Sequence, residues 1–483
     1  MEINLKKEEL TLQKKVVTTP EQLPIDIDIV IPDYKPDALR ILKVVPNVSV
    51  NSANAVAGSV ALDGSLCFDI VYLTEDGKIA GLRAEQNLNH SLYFPENAVF
   101  QEADVSFYSV DGLVINSRKL GVRAVLSLSA KGYSEGKQEI TCDVENEYEK
   151  SYSRCEYKTK NKLMDQKITI RENMPSVGVS EVLYATGKII NTKEKIAGTK
   201  VLIKGDLELC LAELKEDTIN LNTKTIPFSE IVSLNLETTN IKCNYKLGKI
   251  IANISKTAEN EELNIDASLV ASIYSCDTVG HNLLADTFCL NSDLELEHDK
   301  ICIPEKVYND NIEIDAVGQL QISEFESIVD SAGSCVITSA GAENGSLSLS
   351  GVLTVDLLYK TNSNCDSQKV KIPFDKKVST DNNGKVYAKT NNIDIKTEYL
   401  SSGILDIKAE IEMKVVIYKD VAKKYVSSVE ENETANSNKP YKLRVYYAKQ
   451  NDTAWNIAKK FKIKEGDIED SDFTEGKKII LQG

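Results

Sequence analysis

Histidine and tryptophan are nearly missing from this chain, with three His (His90, His281, His298) and one Trp (Trp455) in 483 residues. No histidine has a nucleophile or a metal-ligand pattern beside it, so neither a catalytic triad nor a His-based metal site is expected. The ten cysteines are scattered singly, without one C-x-x-C pair, which excludes the usual zinc and redox signatures and reads as reduced thiols packed in strands. No P-loop, no Gly-rich dinucleotide turn, no G-x-S-x-G and no H-E-x-x-H occurs. Acid pairs such as Glu8-Glu9 and Glu261-Glu262 point to opposite faces of a strand. The chain therefore reads as a non-enzyme with no catalytic residues, no metal and no cofactor.

Long apolar runs are missing too, and without 18 consecutive apolar residues no membrane-spanning helix is expected. The opening Met1-Glu-Ile-Asn-Leu-Lys-Lys-Glu-Glu is charged from its start, unlike a secretory signal peptide, so a cytoplasmic protein is expected. Positive charge is in deficit: 57 Lys+Arg against 73 Asp+Glu leave a net charge of −16, which speaks against a nucleic-acid partner.

What is present is a repeat. Gly64-Ser-Leu-Cys-Phe-Asp-Ile-Val-Tyr72, Gly205-Asp-Leu-Glu-Leu-Cys-Leu-Ala-Glu213 and Gly351-Val-Leu-Thr-Val-Asp-Leu-Leu-Tyr359 alternate with period two, as half-buried strands do, at offsets of 141 and 146 residues. Leu42, Leu183 and Val329 each lie 22 residues upstream, ending the helix-like stretches Asp37–Lys43, Ser180–Tyr184 and Glu324–Asp330. A later landmark recurs as Val122–Leu128, Ile265–Ala271 and Ile407–Met413, and a proline recurs between the landmarks at Pro95, Pro227 and Pro373, as befits sheet edges. Units of about 140 residues are tandem domains with separate cores, not solenoid turns. The expected fold is mainly β: three antiparallel β-domains at 1–142, 143–288 and 289–429, each with a short helix, opened by acidic strands at Glu2–Leu12, Asp143–Ser153 and Asp293–Ile303. A polar linker follows at 430–440, then a small α+β module at 441–483.

That module reads as β-α-α-β. Tyr441–Tyr447 is a strand; Asp452 or Thr453 caps a helix whose apolar stripe is Ala454, Ile457, Ala458 and Phe461; a second short helix spans Glu465–Asp470; Lys477–Leu481 closes the sheet. Lys459, Lys460 and Lys462 form a candidate basic face for an acidic partner. Asn451-Asp-Thr-Ala-Trp-Asn-Ile-Ala458 and Gly476-Lys-Lys-Ile-Ile-Leu481 resemble the LysM pattern, with Asn451 where that family has Gly and Ala454 where it has Leu. The resemblance implies a binding groove between two loops, Asn451, Asp452, Thr453, Ala454 and Trp455 on one side and Ser471, Asp472 and Phe473 on the other. Trp455 either packs in the core or offers a sugar its ring face.

Three β-domains and one LysM-like module together resemble the SipL-like spore coat morphogenetic proteins of clostridial endospore formers, built of tandem SPOCS domains plus LysM. The resemblance implies a mother-cell cytoplasmic protein recruited to the forespore surface, a coat-assembly adaptor that binds the basement-layer ATPase SpoIVA through its LysM module. Two other readings stand beside it. One is an anchor that holds N-acetylglucosamine glycans of peptidoglycan or chitin type, and the other is self-association through exposed strand edges.

Overall fold

A computed structural model describes residues 3–145, 148–256, 261–362, 364–400, 403–432, 444–468 and 472–481. It is mainly β and antiparallel throughout. The first repeat runs β1 (Leu5–Val17), β2 (Glu21–Val30), β3 (Ala38–Val56), β4 (Ser59–Thr74), β5 (Ile79–Tyr93), β6 (Ala98–Asn116) and β7 (Lys119–Val144). The second runs β8 (Glu149–Pro175), β9 (Glu181–Ala197), β10 (Lys200–Lys215), β11 (Thr218–Ser233), β12 (Ile241–Lys256) and β13 (Glu261–Phe288). The third runs β14 (Asp293–Gln321), β15 (Ser327–Glu343), β16 (Ser346–Lys360), β17 (Cys365–Ser379), β18 (Lys385–Leu400) and β19 (Ile404–Asn432). Last come β20 (Arg444–Tyr447), helix α1 (Ala454–Phe461), a 3-10 turn at Glu465–Asp467 and β21 (Lys478–Leu481).

Both sequence landmarks lie on central strands. The Gly-led runs form the middle of β3-β4-β5, β9-β10-β11 and β15-β16-β17, while the later landmarks lie in β7, β13 and β19, the centres of the facing sheets. Each pair of sheets encloses its own apolar core, around Phe68 and Leu126, Leu209 and Leu269, and Val355 and Ile411. Glycine is required at the landmark start because a Cβ on Gly64 would sit 2.4 Å from Ser49 O and one on Gly351 would sit 2.4 Å from Val336 O. Pro227 and Pro373 lie in the edge strands β11 and β17, and Pro95 lies just beyond β5. The acidic openings at Glu2–Leu12 and Asp293–Ile303 fall on β1, from Leu5, and on β14, whereas the middle one is split, Asp143 and Val144 ending β7 and Glu149–Ser153 starting β8. In the first repeat this long strand is broken by Thr18-Thr19-Pro20 into β1 and β2, since proline offers no N–H to the ladder.

Three expectations are corrected. The helix-like stretches before the landmarks are not helices: Ala38, Glu181 and Ser327 begin strands β3, β9 and β15. Five to seven residues cannot nucleate a helix unaided, while the neighbouring central strand supplies a ready ladder. The linker begins later than expected, because Glu430–Asn432 still belong to β19; residues 433–440 lie outside those described. The Gly-led strands are also not half-buried along their whole length, since Cys67–Thr74 is buried on both faces.

The second face is covered by the other repeats. Leu42, Val71, Leu73 and Ile79 of the first, Leu183, Tyr184, Ala212, Leu214 and Ile219 of the second, and Leu358 and Cys365 of the third form one shared cluster, with Val329 against it. The three landmark positions 42, 183 and 329 thus meet on a pseudo-threefold axis. The residues that follow them meet as well: Lys43 Nζ lies 2.5 Å from Asp330 Oδ2, and the Tyr184 hydroxyl donates to that same oxygen at 2.5 Å. Further along the axis Leu10 and Leu12, Cys155 and Tyr157, and Ile301 and Ile303 form a second three-way cluster, where the ribbons β1–β7, β8–β13 and β14–β19 run together as a stalk.

Polar contacts also join the repeats. Asp104 of the first pairs with Lys246 of the second at 3.1 Å and with Lys131 of its own sheet. Burial works against its ionised form, but Lys246 and Lys131 outweigh it and hold the carboxyl at about 2. A carboxyl depressed in the folded state stabilises above its unfolded value, near 3.9, and that contribution is lost as pH falls from about 4 to about 2. Acid titration should therefore loosen the first repeat from the second in this window. Wild type and Asp104→Asn, compared by hydrogen exchange of 98–105 at pH 2.5 and pH 6, should differ most at pH 6, the difference narrowing at pH 2.5.

Candidate interaction surface

The C-terminal unit, 444–481, is built on a two-stranded sheet in which Arg444 pairs with Leu481 and Tyr447 with Lys478. Thr453 caps α1, its hydroxyl accepting from Asn456 N at 3.2 Å. The helix buries Ile457 and Ala458 and ends at Lys462, whose left-handed backbone turns the chain away. The expected second helix is only the 3-10 turn Glu465–Asp467; a segment this short, with Gly466 in it, does not sustain an α-helix. Residues 441–443 and 469–471 lie outside those described, so the expected loop residue Ser471 is not placed.

The first expected loop is an ordered turn. Asn451 has a φ of 69°, the left-handed region that Asn tolerates better than most side chains, which accounts for its standing where the related pattern has Gly. Asp452 accepts from Lys449 N and from the Tyr446 hydroxyl, each at 2.8 Å, and these bonds hold its carboxyl below the usual range. In the second loop Asp472 accepts from Thr474 N at 3.1 Å, from Thr474 Oγ1 at 2.5 Å and from Lys477 Nζ at 3.2 Å, and is likewise held low. Ala454 and Phe473 pack against one small core, which brings the two loops to a common body. Asn451, Thr453 and Asp472 are exposed.

Trp455 and the basic face do something else. The Trp455 indole N–H donates to Asp286 Oδ2 at 2.9 Å, and its ring meets Phe288 edge-on with centroids 5.0 Å apart. Lys459 Nζ donates to Asp286 Oδ1 at 2.5 Å. Lys462 pairs with Asp293 at 2.6 Å and donates to Ser292 O at 3.0 Å. Phe288 and Leu290 complete the small core of the C-terminal unit. The junction between β13 and β14 is thus the seat of α1, and two of the three expected basic residues are held by the body. Lys460 alone faces away, its Nζ 4.6 Å from the Tyr446 ring centroid. Sequence reasoning passed over Asp286, Phe288, Leu290 and Asp293 because they fall on a repeat boundary; Phe288 and Leu290, apolar on either side of Cys289 with no strand to continue, were the available signal.

A cavity of about 240 Å³ lies between the first and second repeats, lined by Asn47, Cys67, Asp69, Thr186 and Lys249 among others. Its charges are already paired: Asp69 takes a two-pronged bond from Arg83 at 2.6 and 2.8 Å, and Lys249 lies 2.5 Å from Glu85. Burial and Asp69 push the Cys67 thiol up to about 11, the opposite of an activated nucleophile. All ten cysteines are free thiols, and among the described residues no group of three or more His, Cys, Asp and Glu is placed to hold a metal ion. No helix among the described residues is long and apolar enough to cross a membrane. No protein-family model matches the chain, and neither a curated protein nor a solved structure does.

Proposed function

We propose that this chain is a non-enzymatic spore coat assembly adaptor: three tandem β-domains that carry a LysM-like module, working in the mother-cell cytoplasm and at the forespore surface, and binding the basement-layer ATPase SpoIVA through that module. The observation that carries the reading is the division of labour within 444–481. The back of α1 is held on the stalk through Trp455, Lys459 and Lys462, while the loop residues Asn451, Thr453 and Asp472 stay exposed and rigidly held. A module fixed by one side and open at its loops suits an adaptor that presents a protein-binding surface. The glycan alternative loses its best feature, because the Trp455 ring packs on Phe288 and is not free to stack on a sugar.

Hydrogen exchange on the full chain tests this. The ATPase should protect 449–456 and 472–477, and chito-oligosaccharide should protect neither. Protection of those loops by the sugar and not by the ATPase would reinstate the glycan anchor; protection by the ATPase at the β-domains alone would move the binding surface there.

A further inference from the structure

The three repeats put equivalent residues in equivalent places, so each junction between repeats serves as a control for the other two. The repeats meet in ring order, β5 against β9, β11 against β15 and β17 against β3. On the receiving strands, two to four positions beyond Leu42, Leu183 and Val329, stand Val44-Val45-Pro46, Ala185-Thr186-Gly187 and Ser331-Ala332-Gly333. Their registers agree: Pro46 pairs with Phe68, Gly187 with Leu209 and Gly333 with Val355, each partner four positions past its landmark glycine.

Two of the junctions are filled. Between the third and first repeats the receiving strand carries the bulky Val45 and Pro46, and Lys369 of β17 crosses to β6, donating to Val110 O and pairing with Asp111 at 3.1 Å. Between the second and third, Gly333 is covered by β18: a Cβ on it would lie 2.8 Å from Ile393 Cγ2 and 3.1 Å from Ile395 Cδ1. Between the first and second neither device is present. Arg83, which holds the position of Lys369, turns back on Asp69 of its own sheet. The three atoms nearest to a Cβ on Gly187 belong to Leu207, Glu208 and Leu209 of the neighbouring β10. The cavity of about 240 Å³ lies at this junction.

Its wall has no charge to spare, since Asp69 is held by Arg83 and Lys249 by Glu85, so an ion would enter without a counter-charge. What the wall lacks is a donor for Asn47, whose Oδ1 is shut off from solvent and accepts no hydrogen bond. A buried acceptor left in this way costs free energy until a donor reaches it. The terminal torsion of an amide is soft, so this oxygen can turn to a donor lodged in the cavity. Thr186 is exposed and its hydroxyl both donates and accepts, while Val45, Pro46 and Ile250 supply an apolar side.

We propose that this cavity binds one small neutral polyol, of the size of glycerol or a single cyclitol ring, which joins the first repeat to the second. The volume is below the ~300 Å³ at which pockets for larger organic ligands begin. Hydroxyl groups serve Asn47 and Thr186 together, and the C–H face of the polyol lies on the apolar side.

The test uses the full chain with glycerol, with myo-inositol and with trimethylamine oxide, a stabilising solute without a hydroxyl. Each is titrated in the low millimolar range while hydrogen exchange of 44–48 and 185–188 is followed. Either polyol should slow exchange in both segments in a saturable way, and trimethylamine oxide should not; the tighter polyol reports whether the site takes an open chain or a ring. Thr186→Val, a surface change of nearly the same shape, should weaken binding about fivefold, the worth of one neutral hydrogen bond. Ala332→Val, at the same place in the third repeat, should leave binding unchanged. The proposal is overturned if neither polyol gives saturable slowing, if all three solutes act alike, or if Thr186→Val binds as wild type does.

Discussion

Replacing Lys43 by methionine should cost about 3–5 kcal/mol of stability, because it strips a buried carboxylate of its cation. The Lys43 side chain is almost wholly buried and that of Asp330 is only 16% exposed, so water cannot take over the role of the ammonium. What remains is one bond from Tyr184, whose phenol is kept protonated by burial and by Asp330 and so always donates. Asp356, close by, adds to the effect: burial already raises its carboxyl pKa while Lys43 and, less strongly, Lys369 lower it, and the variant removes the larger of the two lowering influences. A carboxyl raised in the folded state weakens folding as pH climbs above its unfolded value near 3.9, so the variant's deficit should be largest at neutral pH and shrink below about pH 4. Urea unfolding of wild type, Lys43→Met and Lys43→Met/Asp330→Leu reads this out. The double variant should recover most of the loss, since a buried pair replaced whole by apolar groups is close to neutral. A single variant within about 1 kcal/mol of wild type would mean that the axis is wet or open in solution.

Phe288→Ala should cost about 3 kcal/mol and release the C-terminal unit from the stalk. Phe288 is 5% exposed yet belongs to the small core formed by Ala448, Ile457, Ala458, Ile468, Ile479 and Leu481. Its truncation removes the edge-on contact with Trp455 and leaves a gap on both sides of the seat. Amide exchange across 454–461 should rise while that of 404–417, in the core of the third repeat, stays as in wild type. Asp286→Ala should act in the same direction by freeing the Trp455 indole N–H and Lys459 together. Unchanged exchange in α1 with both variants would show that the unit keeps its own core without the stalk. For the same reason, removing 441–483 would uncover Phe288 and Leu290, so a clean truncation at the linker needs both of them made polar.

Period-two alternation, the Gly-led strands and the fixed 22-residue spacing to Leu42, Leu183 and Val329 were all legible in the sequence, because they express constraints within one sheet: one buried face, and close backbone approach at Gly64 and Gly351. Helix α1 was legible for a similar local reason, a capping Thr453 followed by a stripe at helical spacing. The meaning of position 42 and its equivalents was not. Read singly, Asp37–Lys43 has helical spacing; only the neighbouring strand and two other repeats turn it into β3 and place Lys43, Tyr184 and Asp330 around a common axis. Their three different chemistries at one equivalent position look like drift in the sequence and become an ion pair with a hydroxyl in the fold. The basic residues of α1 looked free for the same reason, since Asp286 and Asp293 lie about 170 residues upstream of Lys459 and Lys462. Local periodicity determined the strands, the central glycines and the helix; which charges meet, and which faces remain open, was decided by packing between repeats, which no window of neighbouring residues encodes.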